Sequence, residues 1–318
     1  LPAHGKIIKL SANGHANAII EAHTSGFGWQ PAMLIIFNPA AGRRRTQRLW
    51  RVLDVMVHNG VKLEIAETLA PGHATELARD AARSGLGMVV AAGGDGTIAE
   101  VAAGLDGSPT PMGIIPLGTA NVLAHELGLP FAPQAVAAAL AFGRTRALWP
   151  GIASSGGEAR LFVQMLGTGF DAEVVHRLSL PLKRVLGKGA YVLQGLRETV
   201  RYRFPRIDVT IDGVRTDAGS VIVTKGRFYG GHYTLAPDAS PMAPGFTVAL
   251  FDRAGPLSAL ACGAALPLGL LRHMPGLRMQ RAREVHIGAH NTQTDGDPAG
   301  HGPTIVRDAR SPIQVVVG

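Results

Sequence analysis

Cysteine is almost absent: Cys262 is the only one in 318 residues. That excludes an intrachain disulfide and any metal site built on several cysteines, and its expected role is that of a small apolar packing residue. Aromatic residues are scarce at 5%, with only 4 tyrosines. Nowhere do they alternate with basic residues in the way that binds single-stranded nucleic acid. Charged residues make up 17% against 46% hydrophobic, a balance that argues against disorder and allows a sizeable core. No apolar run reaches the length of a membrane span. Leu257 to Leu271 comes nearest, but Pro267 and several Gly and Ala residues interrupt it. The start of the chain lacks the uninterrupted apolar core of a signal peptide, so a soluble, cytoplasmic protein is the expectation. Several signatures are also missing: GxxxxGK followed by Ser or Thr, a GxGxxG between strand and helix, HExxH and GxSxG. A P-loop ATPase, a metalloprotease and an α/β-hydrolase are therefore poor readings.

What is abundant is positive charge. The net charge is +8, and arginines gather at Arg43-Arg44-Arg45-Arg48, at Arg197-Arg201-Arg203-Arg206 and at Arg278-Arg281-Arg283. Such clusters suit phosphates or an anionic membrane, although each taken singly also fits a solvated face. No motif of a nucleic-acid reader accompanies them, so no nucleic-acid partner is expected.

The most informative stretch is Gly93-Gly94-Asp95-Gly96-Thr97. An apolar run, Met88 to Ala92, precedes it, and a helical pattern, Ile98 to Leu105, follows. Strand, glycine turn and helix together place backbone N–H groups and a helix N-terminus against a phosphate. The three glycines permit positive φ and leave no side chain in a ligand's way. An acid at a phosphate cradle calls for a cation, which makes Asp95 the candidate for Mg²⁺ with a nucleotide. Thr97 and Glu100 also fit a capping box, a purely structural role.

Residues 1–30 are poorly patterned and are set apart as an extension without a site. From Pro31 the chain alternates: strand Met33–Phe37, helix Thr46–His58, strand Val61–Thr68, helix Ala74–Arg83, strand Met88–Ala92, strand Gly113–Pro116, helix to Leu127. That order predicts a parallel α/β sheet with right-handed crossovers and a ligand at the carboxyl ends of its strands. Asn38, Thr68, Asp95 and Thr119 all fall at such ends. After about residue 144, short β-like runs with glycine turns take over, among them Leu161–Met165, Ile207–Ile211 before Asp212-Gly213, Ser220–Thr224 and Phe246–Phe251. The expected division is an α/β nucleotide-binding domain over 31–144, completed by about 303–318, and a β-rich domain over 145–302.

These motifs together resemble the diacylglycerol-kinase catalytic-domain family of soluble lipid kinases, related to sphingosine kinases. Gly93–Thr97 resembles its nucleotide loop and Asn38-Pro39-Ala40-Ala41-Gly42 its first strand-end loop. Pro116-Leu117-Gly118-Thr119-Ala120-Asn121 is similar to its second glycine loop, and Leu166–Ala172 to the opening of its β-rich domain. Gly187-Lys188-Gly189-Ala190-Tyr191, Gly230-Gly231 and Ala236-Pro237 match further landmarks, and Thr294-Asp295-Gly296-Asp297 resembles its Asp-Gly-Glu turn. The resemblance implies an NAD-kinase-like α/β domain with a parallel sheet, followed by a β-rich sandwich domain.

It also implies an ATP- and Mg²⁺-dependent kinase acting on a primary hydroxyl of a membrane lipid such as diacylglycerol, ceramide or a sphingoid base. ATP would be held by Asn38, Thr68, Gly93, Gly94, Asp95, Gly96, Thr97, Ile98, Ala99, Gly118, Thr119 and Asn121, with Arg43 at a phosphate. Asp297 would act as general base, with Asp95 as the second catalytic acid and the residue nearest the metal. The enzyme would sit in the cytoplasm, in transient contact with anionic membrane, and a homodimer is left open. Four departures stand out. Asn121-Val122 replaces a common Asn-Asp, a carboxylate near Trp149 is replaced, and Ala243-Pro244-Gly245 replaces an acidic turn that holds a structural metal in some members. The fourth is Asp297, one methylene shorter than Glu.

Overall fold

The computed structural model describes residues 7–10, 33–39, 43–178 and 188–318. Ala40 to Gly42, Gly187 and most of residues 1–30 lie outside the described residues. Arg43 and Lys188 are described by their backbone alone. The chain divides into two units. One holds the residues up to Leu148 together with Ser311–Gly318, and the other holds Trp149–Arg310.

The first unit is built on a seven-stranded sheet in the order β1-β3-β2-β4-β5-β19-β6. Its strands are β1 (Ile7–Leu10), β2 (Met33–Phe37), β3 (Leu63–Glu67), β4 (Val89–Gly93), β5 (Met112–Pro116), β6 (Arg144–Leu148) and β19 (Ile313–Val317). Strands β3, β2, β4, β5 and β19 run parallel, and β1 and β6 close the two edges antiparallel. Every residue of β2, β4 and β5 is buried, which is why they read as unbroken apolar runs: helices cover both faces of a parallel sheet.

Five helices fill the crossovers: α1 (Arg43–His58), α2 (His73–Arg83), α3 (Asp95–Gly104), α4 (Val122–Glu126) and α5 (Pro133–Phe142). Helix α1 buries Leu49, Val52, Leu53 and Met56, a stripe at helical spacing. The sequence pattern carried no sign of α5. Its alanines weaken the periodic signal, although Val136, Ala137 and Leu140 do form a buried face. Strand β1 lies inside the segment set apart as an extension.

The second unit is an antiparallel β-sandwich. Its strands are β7 (Gly151–Ser155), β8 (Glu158–Phe162), β9 (Met165–Gly169), β10 (Ile207–Ile211), β11 (Val214–Ala218), β12 (Ser220–Thr224), β15 (Phe246–Phe251), β16 (Leu277–Ala282), β17 (Glu284–Thr294) and β18 (Asp297–Asp308). They run in the order β16-β15-β12-β9-β17-β18-β7-β8, with β10 and β11 attached through β17. A small hairpin, β13 (Phe228–Tyr229) with β14 (Tyr233–Thr234), stands apart. The core gathers one face of these strands, including Phe162, Leu166, Val209, Val221, Val248, Leu250, Val285 and Val306. Among the described residues three α-helices accompany them: α6 (Phe170–His176), α7 (Lys188–Arg201) and α8 (Pro256–Ala265).

The run Leu161–Met165 is not one strand, as its composition suggests. It breaks at Val163 and Gln164, whose N–H groups turn to the carboxylate of Asp295 at 2.8 Å each. Strand β18 stays in the sandwich as far as Asp308, so the return to the first sheet comes later than residue 303 and consists of β19. Phe170 stacks on Phe204, with ring centroids 5.4 Å apart.

Candidate active site

Strand β4 runs straight into α3, which begins at Asp95, three residues earlier than its apolar pattern suggests. Asp95, Gly96 and Thr97 therefore form the first helical turn. The preceding Gly94 is extended (φ −94°, ψ −172°) and supplies no side-chain cap. The N–H groups of that turn keep the electropositive end of the helix available to an anion. The capping box expected of Thr97 and Glu100 does not form. Glu100 serves a different helix: its Oε2 accepts from the N–H of Ala74 at the start of α2.

None of Gly93, Gly94, Gly96 and Gly118 has a positive φ, so at Gly93 and Gly118 space rather than backbone freedom selects glycine. A Cβ on Gly93 would lie 2.5 Å from the side chain of Thr97. A Cβ on Gly118 would meet the Cα of Gly94 at 2.6 Å and Oδ1 of Asn121 at 2.5 Å. The two glycine turns, at the ends of the neighbouring strands β4 and β5, are in backbone contact.

The Asp95 carboxylate fastens them further. Its Oδ1 accepts from the N–H of Leu123 at 3.4 Å, so it caps α4, the helix after the second turn. Burial raises its pKa, while backbone N–H groups of residues 121 to 123 pull it back down. Asn121 is left-handed (φ 48°, ψ 47°) and its Nδ2 donates to the Gly118 carbonyl at 3.0 Å. Its Oδ1 is buried without a hydrogen-bond partner. Such an atom is costly unless a ligand or water completes it.

Around these turns the structure places most of the sequence candidates. Asn38 follows β2 and its Nδ2 donates to Oγ1 of Thr97 at 3.4 Å. Thr68 follows β3, its N–H bonded to the Phe37 carbonyl. Thr119 is exposed on the second turn, and Arg45 reaches it with Nη2 2.5 Å from Oγ1. Among the described side chains of its cluster, Arg45, not singled out above, is the guanidinium that the structure brings to the second turn. Arg43 begins α1. Ile98 points into the core and is fully buried, so only its backbone is available to a ligand. Ala99 is half-buried beside it. Two nearby histidines have local roles: His73 Nδ1 accepts from the Leu69 N–H, and His125 packs on Phe131.

In the second unit, Asp295 and Gly296 form the two-residue turn of the β17–β18 hairpin, both left-handed (φ 50° and 85°). This is the type I′ geometry favoured by Asp-Gly. Asp295 is wholly engaged in structure, accepting from the N–H groups of Val163, Gln164 and Met165. Asp297 is the first residue of β18 and half-buried.

A polar chain missed in the sequence supports this turn. Tyr229 donates its hydroxyl to Asp171. Gln293 Nε2 donates to the other carboxylate oxygen of Asp171 at 2.8 Å, and Gln293 Oε1 accepts from the Gly296 N–H at 2.8 Å. Burial raises the pKa of Asp171, partly offset by these two donors. A Cβ on Gly167 would collide with its carboxylate at 1.9 Å, which explains the glycine.

Residues 32–151 match the model of the diacylglycerol kinase catalytic domain, and residues 164–317 match the YegS C-terminal NAD kinase beta sandwich-like domain. A diacylglycerol kinase of Bacillus subtilis (strain 168) is 34% identical over 214 residues, covering 65% of this chain and 69% of that one. The chain belongs to the diacylglycerol-kinase family. A probable lipid kinase YegS of Escherichia fergusonii is 30% identical over 216 residues, covering 66% of this chain and 70% of its own length. Among solved structures, a putative diacylglycerol kinase from Bacillus anthracis str. Sterne superposes with a TM-score of 0.72 at 20% identity. It covers 93% of this chain and 99% of that chain, and shows the shared fold.

One departure from the family pattern has a structural explanation. At Ala243-Pro244-Gly245 the Nζ of Lys225 lies 2.8 Å from the Gly245 carbonyl, 3.4 Å from the Ala243 carbonyl and 2.6 Å from Asp308 Oδ1. The Asp308 carboxylate also accepts from the Gly245 N–H, and the ammonium stands 4.6 Å from the centre of the Phe246 ring. A fully buried ammonium faces these oxygens and supplies the positive charge that an acidic turn would otherwise take from a metal.

Proposed function

We propose that the protein is an ATP- and Mg²⁺-dependent lipid kinase, transferring a phosphoryl group to a primary hydroxyl of a membrane lipid such as diacylglycerol, ceramide or a sphingoid base. The observation that carries this reading is the contact between two glycine turns at adjacent strand ends, tied together by one carboxylate and lying inside the matched kinase domain. Gly93, Gly94, Gly96 and Gly118 let a triphosphate approach the backbone. The first turn of α3 offers N–H donors, and Asn38, Thr68, Thr119 and Arg45 supply polar and cationic groups around it; the phosphate contact proposed for Arg43 lies outside the described side chains. Ile98 and Ala99 contribute backbone. Asn121 completes its unpartnered oxygen on the ligand side.

Among the described residues no group of three His, Cys, Asp or Glu side chains is gathered for a metal. This donor set fits Mg²⁺ carried on the triphosphate with Asp95 as its one carboxylate, the usual manner for that ion. Bound there, it would neutralise charge on the transferring group. Asp297 is the proposed base that accepts the lipid hydroxyl proton, a role typically worth ~10²–10⁴-fold in rate. The protein would meet its substrate at the inner membrane surface without crossing it.

Transfer of labelled phosphate from ATP to diacylglycerol, ceramide and sphingoid bases, identified by mass spectrometry, tests the reading. Phosphorylation of one of them is the expected outcome. Nucleotide or lipid binding without transfer to any member of the panel would instead support a regulator that has kept the fold. That second reading draws on Val122, which stands where the family often has an acid. An NAD kinase is the weaker alternative, since Gly118-Thr119-Ala120-Asn121-Val122 lacks the Gly-Thr-x-Gly-Phe run usual in that relative.

A further inference from the structure

Two helices of the second unit wear their apolar side chains on the outside. On α7 the inward residues beyond Ala190 are polar: Gln194 is 5% exposed, Glu198 0% and Thr199 6%. Gln194 Nε2 donates to Glu198 Oε1 at 2.9 Å, and the Arg177 guanidinium lies 3.4 Å from Glu198 Oε2 as an ion pair, an oxygen that is buried without a hydrogen bond. On the opposite side Val192, Leu196 and Val200, four residues apart, are 65%, 52% and 87% exposed. An amphipathic helix on a water-facing surface has the reverse arrangement.

Helix α8 packs beside α7 and is likewise apolar where it is exposed. It has no charged residue, and Ala265 is its only buried side chain. Leu257 is 83% exposed and Leu260 42%, and just beyond the helix Leu268 and Leu270 are 70% and 49% exposed. This is the stretch that came nearest to a membrane span in the sequence. From Ala254 to Leu271 no residue is charged, and exposed Arg253 and Arg272 stand at its two ends. Arg197, Arg201 and Arg203 are exposed at the end of α7 and just after it. Neither helix carries an exposed carboxylate, since Glu198 is the only acid on either.

We propose that the α7–α8 face docks on an anionic bilayer, its leucines and valines entering the acyl boundary while the arginines meet lipid phosphates. An uncharged apolar patch with a cationic rim matches an anionic interface in both respects. A second copy of the chain matches it poorly: a two-fold contact sets the same arginines against each other with no carboxylate to pair them. Helix α8, at 10 residues, is about 15 Å long and lies in the interface without crossing. Among the described residues no helix is long and apolar enough to cross a membrane. The surface deepens the lipid-kinase reading by naming where the lipid's own bilayer is met, and it rests on that reading for its purpose. It also changes an expectation, because charge alone gives binding that salt abolishes, whereas an inserted apolar face leaves a salt-resistant part.

Flotation of the full chain with phosphatidylcholine–phosphatidylglycerol vesicles, at low salt and at about 1 M where the Debye length is ~3 Å, tests this. The parent should float in both, more strongly at low salt. Each leucine or valine that inserts adds on the order of tenfold to partitioning. Val200→Asp with Leu257→Asp should therefore lower flotation at least about tenfold at either salt, with the thermal midpoint unchanged and phosphorylation of lipid in detergent micelles retained. Arg197→Ala with Arg201→Ala should remove only the low-salt advantage. Equal flotation of the aspartate variant and the parent would overturn the surface, whatever the kinase assay gives. Loss of flotation in that variant, with no lipid phosphorylated by the parent, would uphold the surface and sink the kinase reading. A parent that does not float, but forms a dimer that the aspartates dissolve, would assign the face to a second copy and overturn the proposal.

Discussion

Asp95 meets two demands with one carboxylate. It caps α4 through the Leu123 N–H, and in the proposed reaction it lies beside the nucleotide's metal-bound phosphates. Asp95→Asn separates the two. An amide oxygen still accepts from the helix, so stability should fall by no more than about 1 kcal/mol. Losing the charge should cost ~10²–10³-fold in turnover. Unchanged turnover with the fold intact would confine Asp95 to structure. Gly118→Ala tests the cradle from the other side. Its Cβ has nowhere to go between Gly94 and Asn121, so overpacking should cost ~1–3 kcal/mol, and the shift of the turn should weaken ATP binding in calorimetry. Asp171 acts at a distance from the turn of Asp297, through Gln293. An asparagine there can set an amide N–H₂ against that of Gln293, so Asp171→Asn should lower kcat while KM for ATP stays put. It should also flatten one part of the stability profile. The pKa of Asp171 is raised in the fold, so its contribution is present below the unfolded carboxyl value of about 3.9 and is lost as pH rises through the folded value. Denaturant midpoints measured upward from that pH should therefore fall less steeply in the variant than in the parent.

Two elements show what could be read ahead of the structure and what could not. The strand, turn and helix around Gly93–Thr97 were legible because both the apolar run and the glycines are local. The start of α3 was misjudged by three residues, since Asp95, Gly96 and Thr97 carry no apolar periodicity and helix formation there depends on contacts with the second turn. The hairpins at Asp212-Gly213 and Asp295-Gly296 were legible as turns. The use of each aspartate was not, because its N–H partners lie far away in sequence: Arg283 and Glu284 for Asp212, Val163 to Met165 for Asp295. Lys225 is the same case. Nothing near it marks it as a cation for the turn at Gly245, 20 residues on. The Lys225–Asp308 pair also makes an element-scale prediction. Lys225→Met leaves the Asp308 carboxylate and two carbonyls without their cation and should cost ~3–5 kcal/mol by chemical denaturation. In the parent, chelation of divalent metal should leave the thermal midpoint where it was. A fall on chelation would mean that this turn does hold a metal.

At the scale of the whole chain, the second unit is an insertion into a hairpin of the first. Leu148 of β6 and Ile313 of β19 are antiparallel partners, and in the second unit Gly151 pairs with Asp308. The chain thus leaves and returns through two adjacent strands. The last segment, about 303–318, was legible as a return to the first domain, but the residues that form its strand and the partners of that strand were not. A short strand such as β19, with Gln314 among four apolar residues, fits either unit, and only pairing decides it. Because Leu148 and Ile313 already face each other, a two-residue Asn-Gly turn is long enough to replace everything between them. Residues 1–148 joined in this way to 313–318 should unfold cooperatively. They should also be stabilised by ATP in a thermal-shift assay, since both glycine turns lie within them. Cutting the chain after Asp308 should do the opposite. It removes the buried side chains of Ile313, Val315, Val316 and Val317, each worth roughly 1.5–3 kcal/mol, and strips β6 of its partner. That loss is on the order of a domain's whole stability of ~5–15 kcal/mol. If the truncated chain still showed an ATP-dependent thermal shift while the rejoined unit did not fold, the insertion would not be the organising feature of this chain.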